Sequence, residues 1–365
     1  MNILELCLSG GFGGLELYAL KSVRELKKTD NNIKVIVRKN TFLDQKLEEN
    51  GLPRDYLNPI VTSFPLVTAW RLAGYLSTYN IDVMHIHWGH DLFLAVMAKV
   101  LCRRKIKLIY TRQMALTRMK YDPYHKFVYK NVDAYVVIAQ SLYNDAKRYL
   151  PLRSECLHLL YYGVPGPVGD INSCKKYLAE NQIDQDTFKI AIFGRIEHGK
   201  GQYLVVGAVR QLRKEGKMVQ AAMIGHIMDQ DYFNNLVKEI KDAGLEEQIR
   251  YLGFHNNPVS IMACFDVVVL ASKCETFGLV LPEAMRAGVA VLGSNCGGVP
   301  EIISHGKTGL LFESENVEDL TNRLRELIDD PALCQKLAKA GKAEADERFS
   351  EEKHFQRLIK IFRNA

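Results

Sequence analysis

Two carboxylates eight residues apart, Glu275 and Glu283, bracket the stretch Thr276-Phe277-Gly278-Leu279-Val280. Before them the apolar run Asp266 to Ser272 has the composition of a strand buried on both faces. After them a helix is expected from Val280 to Ala287, stopped by Gly288. Such a strand–loop–helix turn would aim the N–H groups of Gly278, Leu279 and Val280 at one spot, where amide donors and the helix dipole favour a phosphate or diphosphate. A carboxylate facing that anion would be repelled by it. The two glutamates are therefore read as acceptors for hydroxyl donors, a sugar at Glu275 and a ribose at Glu283. Upstream, Ile190 to Gly194 reads as a strand, followed by Arg195 and by Lys200-Gly201 at the start of another helix. Both cations could neutralise a diphosphate at the same sheet edge. Downstream, Asn295-Cys296-Gly297-Gly298-Val299-Pro300-Glu301 makes a third glycine-rich loop at a strand end. A glutamate early in a helix is often only a dipole partner, but three such loops on one sheet edge point to a nucleotide-sugar site.

The first half carries a thinner set. Ser9-Gly10-Gly11-Phe12-Gly13-Gly14 joins a strand to a helix, and Glu16 stands where a dinucleotide fingerprint needs its last glycine, which disfavours a nicotinamide enzyme. Gly13 and Gly14 instead let backbone approach a ligand. His87 ends the strand Asp82–His87 and is read as facing the ligand, with His85 on the other face of that strand. His85, His87 and His90 lack a carboxylate set to complete a metal site. Arg112, in Tyr110-Thr111-Arg112-Gln113-Met114, could grip a phosphate or carboxylate of an acceptor bidentately. Arg103-Arg104-Lys105 with Lys107 reads as a solvated turn.

The elements that must position these residues alternate strand and helix, which implies parallel sheets covered on both faces. Strands are expected at 2–8, 33–38, 82–87, 107–111, 134–139 and 156–160, with helices at 15–27, 65–79, 91–101 and 141–149. A glycine–proline cluster (Gly163, Pro165, Gly166, Pro167, Gly169) reads as a linker. Strands resume at 188–193, 219–224, 249–253, 266–271, 290–293 and 309–312, and helices at 317–328, 331–347 and 350–362 close the chain. At 365 residues, 47% hydrophobic and 25% charged, the chain suits two soluble domains. No run of about eighteen apolar residues occurs, and Met1-Asn2-Ile3-Leu4 opens as a strand rather than a signal peptide. Eight cysteines without a C-x-x-C pair are read as reduced thiols of a cytosolic protein, Cys264 among them, and not as a disulfide framework or zinc site. Residues 1–165 hold 23 Lys and Arg against 14 Asp and Glu, net +9, and the remainder 25 against 28, net −3. That asymmetry argues against a nucleic-acid binder and fits a first half that meets anionic lipid headgroups or a phosphorylated acceptor.

With these residues in place, Gly194-Arg195 and Lys200-Gly201, the Glu275/Glu283 pair around Phe277-Gly278, and Gly297-Gly298-Val299-Pro300-Glu301 with Gly306 and Thr308-Gly309 resemble the retaining glycosyltransferases of family 4. Gly13-Gly14-Leu15-Glu16 is similar to that family's first acceptor-side loop, and Asp82 to His87 to its third strand end. The resemblance implies the α/β GT-B fold, two Rossmann-like parallel-sheet domains facing across a cleft. It places an acceptor-binding domain at 1–165, a linker at 166–187, a nucleotide-sugar-binding domain at 188–349, and a helix at 350–365 that crosses back to the first domain. It implies Arg195, Lys200 and Glu275 as catalytic residues, and Glu283, Phe277, Gly278, Leu279, Val280, Gly194, Gly13 and Gly14 around the donor. His87, Arg112 and Glu16 are assigned to the acceptor or transferred sugar. The expected partners are a nucleotide-sugar donor, a glycan or lipid-linked acceptor and an anionic membrane surface, with no nucleic acid. The donor is a substrate, so no cofactor and no metal are expected, and the location is cytoplasmic, peripheral at an inner membrane face. Gln113 stands where many relatives place a histidine, and Tyr162 where they commonly show asparagine. A nucleotide-sugar epimerase of the same fold and a non-catalytic nucleotide-sugar-binding subunit stay open as alternatives.

Overall fold

Thirteen strands alternate with helices through the computed structural model, which describes residues 1–57, 66–166 and 171–365. Seven lie in the first half: β1 (Asn2–Cys7), β2 (Asn32–Val37), β3 (Asp55–Tyr56), β4 (Val83–Ile86), β5 (Lys107–Arg112), β6 (Ala134–Val137) and β7 (Leu157–Leu159). Six follow: β8 (Phe188–Phe193), β9 (Val219–Ile224), β10 (Ile249–Tyr251), β11 (Val267–Leu270), β12 (Ala290–Ser294) and β13 (Leu310–Phe312). The first set forms one sheet in the order β3-β2-β1-β4-β5-β6-β7, the second another in the order β10-β9-β8-β11-β12-β13. Every pairing is parallel. Strands buried on both faces read as unbroken apolar runs, as Val267-Val268-Val269-Leu270 does.

Each sheet reverses its strand order once, between β1 and β4 in the first and between β8 and β11 in the second. In open parallel sheets the loops at the carboxyl ends of the strands diverge at that reversal and leave a crevice.

The described residues fall into two compact units, Met1–Tyr161 with Glu352–Ala365, and Tyr162–Glu351. Within the first unit the last helix, Glu351–Asn364, buries Phe355, Leu358 and Phe362. His354 on this helix fixes its own tautomer: its Nδ1 donates to the Tyr161 carbonyl at 2.7 Å, and its Nε2 lies 2.8 Å from the Tyr18 hydroxyl. Burial holds the His354 imidazole down to a pKa of about 4. The second unit's core gathers around Ile190, Ile192, Val267, Val269 and Leu292 of its sheet.

Several elements escape the sequence reading, helix Gln230–Asp242 among them. β3 is two residues long, too short for any alternation to show. Helices Phe42–Glu49 and Pro123–Lys130 carry legible caps, since the Thr41 side chain accepts from Asp44 N–H and the Asp122 carboxylate from His125 N–H, with proline next at 123. Helix Ile171–Glu180 lies inside 166–187, so that segment is not a plain linker. Within the expected glycine–proline linker, Pro167 and Gly169 lie outside the described residues, as does Pro65 of the expected 65–79 helix. The reduced state expected of every cysteine is also corrected: Cys174 on helix Ile171–Glu180 is bonded to Cys264. Spacing could not show this, because 90 residues separate the pair and only the packing of helix Ile171–Glu180 against the turn after Met262 brings them together.

Candidate functional site

In the second unit the loops after β8, β11 and β12 meet at the reversal of strand order. Arg195 leaves β8, and a short 3-10 turn, His198–Lys200, carries Lys200 toward β11. There the Lys200 ammonium donates to Glu275 Oε1 at 2.5 Å, and the Ser272 hydroxyl donates to the same oxygen at 2.9 Å. The carboxylate is thus held by a cation from one strand end and a hydroxyl from the next. The Lys273 N–H donates to the Gly199 carbonyl at 3.0 Å, closing the two loops on each other. Arg195 is more exposed, and its Nη2 pairs with Glu197 at 2.9 Å.

Two glycines are required by this closeness. Gly201 has φ +72°, and a Cβ there would stand 2.1 Å from the Ala271 carbonyl oxygen. Gly297 has φ +53°, and a Cβ would stand 2.0 Å from the Glu275 carbonyl oxygen. The Gly298 N–H donates to that carbonyl at 2.9 Å, so the Asn295–Glu301 loop lies directly on the Glu275 segment. Gly194 directly follows β8, with φ +148°.

Helix Val280–Arg286 starts where expected, with Leu279 at its N-cap and Gly278 just before. Leu279 and Val280 are partly exposed at the helix head, and Glu283 is half-buried within its first turn. Phe277 is different. Its ring is buried between Tyr162 at 5.8 Å and Phe349 at 5.9 Å, so only its backbone can serve a ligand. Tyr162, where relatives commonly show asparagine, is therefore a packing partner of the Glu275–Phe277 loop. Arg286 anchors the same region, with Nε on Asp346 at 3.0 Å and Nη1 on the Val164 carbonyl.

In the first unit, Glu5 of β1 lies beside His85 of β4 and His87 just after that strand. Glu5 Oε1 is 2.9 Å from His85 Nδ1, Oε2 is 2.6 Å from His87 Nε2, and His85 Nε2 is 2.7 Å from the Thr111 hydroxyl of β5. The placement of His85 on the face away from His87 is thereby overturned: residues two apart in a strand share a face, and both rings reach one carboxylate. The carboxylate missing from the histidine set comes from a neighbouring strand, so Glu5, His85 and His87 have the donor types of a metal site, all within 4.8 Å. Hydrogen bonds already join Glu5 to each imidazole, but the buried His87 Nδ1 has no hydrogen-bond partner among the described residues. Burial raises the Glu5 carboxyl, but the two imidazoles outweigh it and bring the pKa down to about 2. Burial depresses His87 in turn. A glutamate inside the apolar Ile3-Leu4-Glu5-Leu6-Cys7 run was the available sign of such a partner.

The other first-unit assignments are also engaged. Glu16 is buried and accepts from the Ser9 hydroxyl at 2.5 Å, which in turn accepts from Gly11 N–H at 3.0 Å, so it pins the glycine loop that includes Gly13 and precedes Gly14. Arg112 spends Nε on the Met114 carbonyl at 2.7 Å and Nη2 on the Ala115 carbonyl at 2.8 Å. The bidentate edge expected to grip an anion is therefore folding its own loop. Beside these residues a cavity of about 860 Å³ opens at the reversal between β1 and β4, lined by Leu8, His87, Asp91, Tyr110 and Arg112 among others.

No helix of the described residues is long and apolar enough to cross a membrane.

The chain matches two family models: "Glycosyltransferase Family 4" over residues 12–165 and "Glycosyl transferases group 1" over residues 174–344. It is 25% identical over 299 residues to N-acetyl-alpha-D-glucosaminyl L-malate synthase of Bacillus anthracis, covering 80% of this chain and 76% of that one. It is likewise 25% identical to the lipopolysaccharide core biosynthesis mannosyltransferase LpsB of Rhizobium meliloti (strain 1021), over 86% of each chain. Its fold is similar to that of Anabaena HepE, solved in complex with UDP, with a TM-score of 0.85 at 22% identity over the whole of both chains. Two parallel-sheet Rossmann-like units, the loops that join Lys200 to Glu275, and family matches reaching from residue 12 to 344 make this chain a GT-B glycosyltransferase of the group 1, family 4 type.

Proposed function

We propose that this glycosyltransferase is retaining and metal-independent, moving a sugar from a nucleotide-diphospho-sugar to a glycan or lipid-linked acceptor in cell-surface polysaccharide or lipopolysaccharide synthesis. The observation that carries the donor half is the Lys200–Glu275–Ser272 cluster beside the helix head at Gly278–Val280, at the reversal of the second sheet. In this reading the diphosphate takes up Lys200 and Arg195 and the amides of Leu279 and Val280. Glu283 accepts from the ribose, and Glu275, freed from Lys200 or sharing it, accepts from the sugar hydroxyls. Charge developing on the leaving diphosphate is then met by cations already in place. The acceptor proton passes to the departing phosphate oxygen on the same face, so no separate protein base is needed. Malate and lipopolysaccharide core in the names of the two relatives favour an acceptor that carries negative charge.

The test is a transfer reaction run in EDTA with a donor of known anomeric configuration and the product bond read by NMR. Retained configuration and undiminished rate are expected. Inversion, or a rate lost to EDTA and restored by magnesium or manganese, would overturn the mechanism.

A further inference from the structure

The first unit's cavity holds a charge imbalance that the protein does not resolve by itself. On one side is Asp91, 3% exposed, at the head of helix Leu92–Leu101. Its Oδ2 accepts from the Leu8 N–H at 2.9 Å, and no cation pairs with it among the described residues. Burial pushes this carboxyl up to about 7. On another side is Lys120, half-buried, whose ammonium has no ion-pair partner among the described residues. Burial first, then Arg112 and Arg118, pull it below the ordinary lysine range. The nearest acid in sequence, Asp122, is held by His125 at 2.5 Å. Lys120 and Asp91 both line the cavity, yet no salt bridge joins them. The same cavity is lined by the buried Tyr110 and Tyr129 and by the partly exposed Phe93 and Tyr124, whose rings lie 5.1 Å apart. Rings of this kind pack on the apolar faces of sugars.

We propose that this cavity binds a sugar bearing an anionic substituent, a phosphate or a carboxylate, with Lys120 taking the charge and Asp91 accepting from a ring hydroxyl. Arg112 is a positioning residue here, holding the loop 113–115 through its carbonyl contacts. The inference rests on the reading of the first unit as the acceptor side, and it narrows the acceptor to a sugar that is itself charged.

Calorimetry on the full chain with glucose, glucose 6-phosphate and glucuronic acid tests it. At least one charged sugar should bind about tenfold or more tightly than glucose, the value of one charge-assisted contact. The stronger of the two tells phosphate from carboxylate. Lys120→Ala should abolish that preference, Lys120→Arg should keep most of it, and Asp91→Asn should weaken every sugar while leaving the preference in place. Lys126→Ala, an exposed lysine on the neighbouring helix and outside the cavity lining, should change nothing. Equal affinity for charged and neutral sugars, or a preference that survives Lys120→Ala, would overturn the proposal. A nucleoside diphosphate titrated into the same samples keeps the two readings apart: its failure to bind would sink the donor site and leave the cavity result standing.

Discussion

Lys200 and Glu275 satisfy each other, at 2.5 Å and only partly exposed. Removing either therefore does more than delete one contact. Lys200→Ala should cut turnover about a hundredfold or more, since one preorganised stabiliser of developing charge is worth roughly 3 kcal/mol. It also leaves Glu275 with Ser272 alone, which should weaken positioning of the sugar. The two carboxylates should separate in binding. Glu283→Ala is expected to weaken a nucleoside diphosphate on its own, and Glu275→Ala to spare it while impairing transfer, as calorimetry beside a turnover assay would show. Equal losses of nucleotide affinity in both would contradict the division of roles.

Among the elements, the closing helix Glu351–Asn364 depends on a neutral His354 wedged between Tyr18 and the Tyr161 carbonyl. The ordinary imidazole pKa of 6.5 falls to about 4 in the fold, chiefly through burial. Unfolded chain therefore binds more protons than folded chain between those values, and stability is lost as pH falls from about 6.5 toward 4. His354→Gln, which keeps a donor and an acceptor without titrating, should flatten that part of the stability–pH curve in denaturant titrations, even if it lowers the plateau. An unchanged slope would show that His354 is not the titrating group. Glu5 works at lower pH: with its carboxyl held down to about 2, its contribution is complete above about 4.5 and is lost as pH falls toward 2.

Across the whole molecule, charge is divided between the halves, +9 over residues 1–165 and −3 over the rest. Met114 and Met119 are 65% and 63% exposed in the basic Arg112–Tyr121 stretch, beside exposed Arg118. Cations mixed with bare apolar side chains suit a weak, reversible hold on an anionic lipid surface. Sedimentation with anionic liposomes is expected to exceed that with neutral ones and to fall with salt, since such attraction is screened over about 10 Å at 0.1 M. Charge reversal at Arg118 should reduce it further. Equal sedimentation with both lipids at low salt would make the basic half a solvated surface.

The alternation of apolar strands with amphipathic helices was readable in the chain because parallel strands and returning helices repeat one local pattern, and twelve of the strands lie where their apolar runs predict. The glycines at 201 and 297 could be seen as loop residues, but only the fold shows why no side chain fits there: the carbonyls of Ala271 and Glu275 occupy the space. The pairing of Lys200 with Glu275 likewise depends on β8 and β11 becoming neighbours, although 75 residues separate the two side chains. The same holds for Glu5 with His85 and His87, for Cys174 with Cys264, and for Asp91 and Lys120 lining one cavity. Periodicity and caps are properties of residues a few positions apart, and sequence alone determines them. Which distant charges meet, and which are left for a ligand, depends on sheet order and on how far each group is withdrawn from water, and only the tertiary structure decides that.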